Sequence, residues 1–281
     1  MAKLTMIQFK DILVYIDDGA SNSERVKTAF ELAKLHEARL TAVTLAAVKP
    51  THLKVSDTKT LAHMSEKEAM ARVEEFSQLA EQQGILHSTR VVHGDENLAA
   101  RKLAQYARNF DLVILRQANP NNPNFSIVKT VSEQVILLSG RPVFFMPYIG
   151  AHRIPCTKAM IAWDGSPTTT RAIHDALPLI QHVDEVVILV VQQGKQKTAK
   201  GELLADDLCT HLQHHGANAR VKRMNAGTFD VPTVILNEIA ENDIDLLVMG
   251  GYGTPSLQQK IFGGVTRTLL QSMIIPVIMS H

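Results

Sequence analysis

The chain repeats itself. Lys158-Ala159-Met160-Ile161-Ala162-Trp163 ends in Asp164-Gly165-Ser166, much as Lys10-Asp11-Ile12-Leu13-Val14-Tyr15-Ile16 ends in Asp17-Asp18-Gly19. Further on, Asn109 to Ile114 matches Asp243 to Val248, and Arg141-Pro142-Val143-Phe144-Phe145-Met146 matches Ile275-Pro276-Val277-Ile278-Met279. The offset shrinks from about 147 residues at the first strand to 134 at the last, so the first copy is longer, mostly around Lys49 to Met64. A tandem duplication of this length means two domains of ordinary size, expected at 1–148 and 155–281 and joined by the Pro- and Gly-containing Pro147 to Pro155.

Within each copy, short apolar runs alternate with stretches of helical periodicity. In the first copy, strands are expected at Lys10–Ile16, Leu40–Ala47, Ser88–His93, Leu112–Leu115 and Pro142–Met146. Helices are expected after Ser21-Asn22-Ser23 and over Glu66–Gln83, Leu98–Ala107 and Ile127–Leu138. Strands that read as continuous apolar runs belong to parallel sheets covered on both faces. The expected fold class is therefore α/β: two tandem doubly wound five-stranded parallel sheets, order 3-2-1-4-5, flanked by helices. Such sheets bind ligands outside the strand carboxyl ends, where the winding reverses between strands one and four. The final strands, Pro142–Met146 and Pro276–Met279, are short and apolar and would lie at sheet edges. Exposed edges need covering, so the copies are expected to pair through them as an intrachain pseudo-dimer, with a homodimer of chains open as well.

Composition removes several function classes. The net charge is +1 and no run of five basic residues occurs, which argues against a nucleic-acid arm. No stretch approaches the ~18 uninterrupted apolar residues of a membrane helix, and Met1 to Lys10 has no apolar core of a signal peptide. A cytoplasmic location is the expectation. Cys156 and Cys209 lack C-x-x-C spacing and read as idle thiols.

The chemistry gathers at the end of the fourth strand of the second copy. Ile244 to Met249 runs into Gly250-Gly251-Tyr252-Gly253; then come Gly263-Gly264-Val265-Thr266 and a helix start. Glycines let backbone N–H groups approach a ligand, and a helix N-terminus favours an anion, so this reads as a phosphate cradle. Asp164 ends strand one across the same crevice and suits an amino group or a ribose hydroxyl. Its plain alternative is a capping aspartate before Ser166-Pro167. Neither a Walker A loop nor a G-x-S-x-G elbow is present. The first copy keeps Asp17 but has Arg116 to Asn124 in place of the glycines, with prolines that lack N–H donors. It reads as a degenerate copy with Arg116 exposed at the surface. The contrast suggests that the glycines serve a ligand rather than the fold.

The pattern Gly250-x2-Gly253-x9-Gly263, with Asp164-Gly165-Ser166 ending strand one, resembles the universal stress protein family over both copies and most specifically in the second. The resemblance implies adenosine held by Asp164 and by the main chain at Val191, and phosphates held by the glycine motif. It carries these roles onto Asp164, Val191, Met249, Gly250, Gly253, Gly263, Val265 and Thr266, with Ala162, Trp163 and Gly264 completing the set. Gly264 stands where the family has Ser or Thr, which removes one hydroxyl contact that Thr266 would replace in part. The implied ligand is ATP or AMP, with or without Mg²⁺, and the implied role is stress-response regulation through a protein partner. No general base is evident, and no Mg²⁺ carboxylate beyond Asp164, so ATP hydrolysis would be slow at most. A scaffold or small-molecule carrier of the same fold is the alternative class; a true transferase or hydrolase is a third.

Other candidates have plain readings. His211 and His215 have the i, i+4 spacing of a metal pair, with Asp207 on the same face, but no third ligand follows and a solvated helix face is expected. His93 reads as a loop histidine, Trp163 as core, and Lys195 to Lys200 as a solvated loop.

Overall fold

The computed structural model describes residues 8–47, 65–122, 125–149, 154–192, 199–251 and 264–281. Its two compact units are Phe9–Arg141 and Pro142–His281, the latter including Gln8.

In the first unit, β1 (Asp11–Tyr15), β2 (Arg39–Ala47), β3 (His87–Gly94) and β4 (Leu112–Arg116) alternate with α1 (Asn22–His36), α2 (Glu66–Gln82), α3 (Glu96–Ala107) and α4 (Phe125–Leu138). The strand order is β3-β2-β1-β4, all parallel. Helix starts are fixed locally. Ser65 and Glu68 form a capping box at α2, and the Asp95 carboxylate accepts from Leu98 N at α3. Leu112, Val113 and Ile114 have no exposed surface, as a central parallel strand requires.

The second unit contains β5 (Val143–Met146), β6 (Lys158–Ala162), α5 (Pro167–Ile180), β7 (Glu185–Gln192), α6 (Ala199–His214), β8 (Ala219–Asn225), α7 (Val231–Glu241), β9 (Leu246–Gly250), α8 (Gly264–Ser272) and β10 (Val277–Ser280). Its order, β8-β7-β6-β9-β10, is the expected 3-2-1-4-5. One pairing departs from the all-parallel expectation. β5 runs antiparallel to β10, with Val277 opposite Phe145 and Met279 opposite Val143. Repeat and compact unit thus end at different residues, because β5 belongs to the first repeat by sequence and to the second unit by packing. Covering β10 leaves Phe144 and Phe145 fully buried.

The two repeats share one register at the winding reversal. Ile12, Leu13 and Val14 face Leu112, Val113 and Ile114, just as Ala159, Met160 and Ile161 face Leu246, Leu247 and Val248. Two residues further along, Arg116 and Gly250 hold equivalent places, as do Asp17 and Asp164 beside them.

Candidate functional site

In the second unit β6 delivers Ala162, Trp163 and Asp164 to the carboxyl end of the sheet. Asp164 is exposed, and its Oδ1 accepts from Ser166 N at 2.9 Å and Thr169 Oγ1 at 2.7 Å. Gly165 turns the chain at φ 72°, Ser166 caps α5 by accepting from Thr169 N, and Pro167 begins the helix without needing a donor. The capping reading of Asp164 is thus realised through one oxygen. Oδ2 makes no hydrogen bond among the described residues, so the carboxylate is both oriented and available. Trp163 is buried, its backbone N bonded to Leu189 O and its indole Nε1 without a hydrogen-bond partner among the described residues. Val191, near the end of β7, is half-buried.

Met249 is buried and Gly250 half-buried at the end of β9. A Cβ on Gly250 would stand 2.5 Å from Thr169 N and 2.7 Å from Thr168 Oγ1. Its lack of a side chain therefore has a packing cause: the first turn of α5 presses on the strand end. At this position, then, the fold as well as a ligand gives a reason for glycine. Gly264 differs, since a Cβ there would meet nothing within 4 Å among the described residues. It opens α8 and is exposed with Val265, whereas Thr266 is buried. Gly253 and Gly263 lie outside the described residues. Beside the cradle, Gly251 N donates to Ser280 O at 2.8 Å, and His281 Nδ1 lies 3.2 Å from Gly251 O.

The first unit holds a different arrangement at the equivalent place. Arg116 is 2% exposed, not on the surface as its sequence context suggested. Asp17 buries it: Arg116 Nε lies 2.5 Å from Asp17 Oδ2, and Arg25 Nη2 lies 2.8 Å from Oδ1. Arg25 is fully buried, with Nε donating to Tyr15 O and Nη2 also donating to Asn22 Oδ1. Burial alone would push the Asp17 carboxyl up, but the two guanidinium charges and the Arg25 and Gly19 hydrogen bonds outweigh it and hold it below the usual range. Burial pushes the nearby Tyr15 phenol up. Arg25 escaped the sequence reading. Its signal was a cation in the first turn of a helix, where the helix dipole disfavours one unless an acid answers it.

A cavity of about 630 Å³ opens between α1 and α2, bordered by Ile16, Asn22, Phe30, Phe76 and Leu79; Asp17, Arg25 and Arg116 do not line it. His211 of α6 meets the rings of His174 on α5 at 5.3 Å and of His215, just past α6, at 4.6 Å. Among the described residues no group of three His, Cys, Asp or Glu side chains can hold a metal ion. His93 lies in β3 rather than a loop and meets Glu66 at 2.5 Å. Cys156 and Cys209 are free thiols, the former pushed up to about 12 by burial and the Asp245 charge. Lys195 and its neighbours through residue 198 lie outside the described residues. No described helix is long and apolar enough to cross a membrane.

Two sets of parallel strands wound about equivalent reversal points, one with an open aspartate and one with a paired aspartate, define a tandem α/β protein. The Universal stress protein family profile matches residues 8–147 and 156–281, and the chain belongs to that family. It is similar in fold to a universal stress protein from Archaeoglobus fulgidus, with 16% identity, TM-score 0.66, and coverage of 96% of this chain and 95% of the other. A Pseudomonas aeruginosa protein described as a putative universal stress protein gives 15%, 0.63, 97% and 93%. The fold also matches the cytoplasmic domain of a prokaryotic cation chloride cotransporter, at 10% identity and TM-score 0.54, covering 96% of this chain and 94% of that one. No curated protein matches the chain.

Proposed function

We propose that the chain is a stress-response regulator that binds an adenine nucleotide, ATP or AMP, in its second domain (155–281) and reports occupancy to a protein partner. The observation that carries this reading is Asp164. Its carboxylate is exposed just after β6, held in orientation through Oδ1 and, among the described residues, unbonded at Oδ2. A ribose hydroxyl or an amino group is the donor such an oxygen suits. Gly264 supports it, because no described residue gives a steric reason for a glycine at the start of α8, and a helix N-terminus suits a phosphate. Asp164 is also the carboxylate available to a Mg²⁺ ion carried in with ATP. The test is to denature the purified protein and chromatograph what is released, then titrate the stripped chain with ATP and AMP. Released adenine nucleotide, or saturable binding heat, supports the reading; neither appearing sinks it.

The second reading is a scaffold or carrier of the same fold that takes no nucleotide. Gly250 favours it, since packing against Thr169 explains that glycine without a ligand.

A further inference from the structure

We propose that Arg116 is the built-in occupant of the first-unit crevice, its guanidinium standing where a ligand would meet Asp17, so that the chain takes one nucleotide and not two. The proposal rests on the nucleotide reading of the second crevice.

The equivalence of Arg116 with Gly250 follows from the shared register of β1 with β4 and of β6 with β9. What differs is the loop after the aspartate. α5 begins at Pro167, three residues after Asp164, and its first turn lies so close to the strand end that position 250 has no room for a Cβ. α1 begins at Asn22, five residues after Asp17. The longer loop brings Gly19 over the strand end instead, and a Cβ on Gly19 would fall 2.8 Å from Arg116 Nη1 and 3.1 Å from Arg116 Cζ. The position without a side chain has moved from the strand to the loop, and the space released holds a guanidinium.

Both oxygens of Asp17 are engaged. Oδ1 accepts from Arg25 Nη2 at 2.8 Å and from Gly19 N at 3.1 Å, and Oδ2 faces Arg116 Nε at 2.5 Å. Oδ2 has no aligned hydrogen bond, but the Arg116 guanidinium stands between it and a ribose hydroxyl, in contrast to Asp164. The two arginines are not equally held. Arg25 donates to a carbonyl, a carboxylate and an amide oxygen. Arg116 Nε and Nη2 have no aligned hydrogen-bond acceptor among the described residues, so this side chain is held by charge and enclosure. Asp17 with Arg25 is already a balanced pair; Arg116 is the surplus cation. A buried surplus charge is costly, so Arg116 is not placed there for stability, and removing it leaves a neutral pair behind.

The probe is adenosine, since no glycine cradle follows Arg116 to hold phosphates. Its stoichiometry is measured by equilibrium dialysis on the full chain and on Arg116→Gly, Arg116→Ala and Arg116→Met. The expected result is one adenosine per chain in the wild type and two in the Gly and Ala variants. The Met variant, which keeps the crevice filled without charge, stays at one. A wild type that binds none defeats the second-crevice reading alone, and the rise from zero to one in the Gly variant still supports the proposal. Gly and Ala variants that melt cooperatively and gain no adenosine overturn it, as does a wild type that binds two, or a Met variant that gains one. Should the Gly variant fail to fold, the Ala variant decides.

Discussion

Gly250 lies so close to the backbone nitrogen of Thr169 that a methyl group at position 250 would stand 2.5 Å away. The contact is with backbone at the capped start of α5, which cannot yield as a flexible side chain would. Gly250→Ala is therefore expected to destabilise the protein without any ligand, by the ~1–3 kcal/mol typical of overpacking. Gly264→Ala separates folding from binding. With no described residue within 4 Å of its Cβ it should leave the ligand-free melting temperature unchanged or slightly raised, since alanine is the better helix residue. It should weaken ATP or AMP binding if the start of α8 approaches the phosphates. Thermal melts and calorimetric titration of both variants check this, and undiminished affinity in Gly264→Ala removes α8 from the site.

Asp17 is the carboxylate that two buried arginines share, and the consequence is acid sensitivity. Its folded-state carboxyl is held below the unfolded value of about 3.9; burial opposes that shift, while Arg25 and Arg116 drive it. The stability it contributes is complete above the unfolded pKa and is lost as pH falls through the lower folded value. Asp17→Asn should remove that dependence and cost ~3–5 kcal/mol at neutral pH, the usual result of stripping one partner from buried charges. Denaturant melts of both proteins between pH 2 and 7 measure it. A variant as stable as the wild type at pH 7 would contradict the ion cluster.

The fold was legible because its strands are unbroken apolar runs and because it is written twice. Ile12 to Val14 and Ala159 to Ile161 announce the same strand at the same place, and the repeat supplied the strand order. The site was legible only by residue type. Asp164 and Gly264 could be named, but the sequence does not say that the loop from Asp17 to Asn22 is two residues longer than its counterpart in a way that admits a side chain. Arg116 looked like a surface arginine because its neighbours, Gln117 to Asn124, are polar; its burial depends on Asp17, ninety-nine residues earlier. The antiparallel turn of β5 onto β10 is likewise a tertiary choice, invisible in Val143 to Met146 alone.

Asp164 has two roles, and substitution separates them. Asp164→Ala loses the bonds from Ser166 N and Thr169 Oγ1, costing stability of ~1 kcal/mol. Loss of the free oxygen should lower adenine nucleotide affinity tenfold or more, about 1.4 kcal/mol. Asp17→Ala is no control here, because it strips the charge from buried arginines. Asp18→Ala, at an exposed position beside it, is the control and should leave affinity unchanged. Titration of both variants with ATP decides, and equal affinities in the two would place the ligand elsewhere.

The histidine cluster on α5 and α6 should make the second unit sensitive to mild acid. Burial first, then the neighbouring His215, His174 and His214, hold His211 below its ordinary value. Its Nε2 is enclosed without a hydrogen-bond partner among the described residues, so a proton added there gains no acceptor. Because the unfolded chain takes up that proton near pH 6.5 and the folded chain only at lower pH, stability is fully present above pH ~6.5 and falls as pH drops toward the folded value. The melting temperature should decline between pH 7.5 and 5.5. His211→Gln should flatten the decline. Parallel slopes in the wild type and His211→Gln would show that the cluster titrates alike in the folded and unfolded chain.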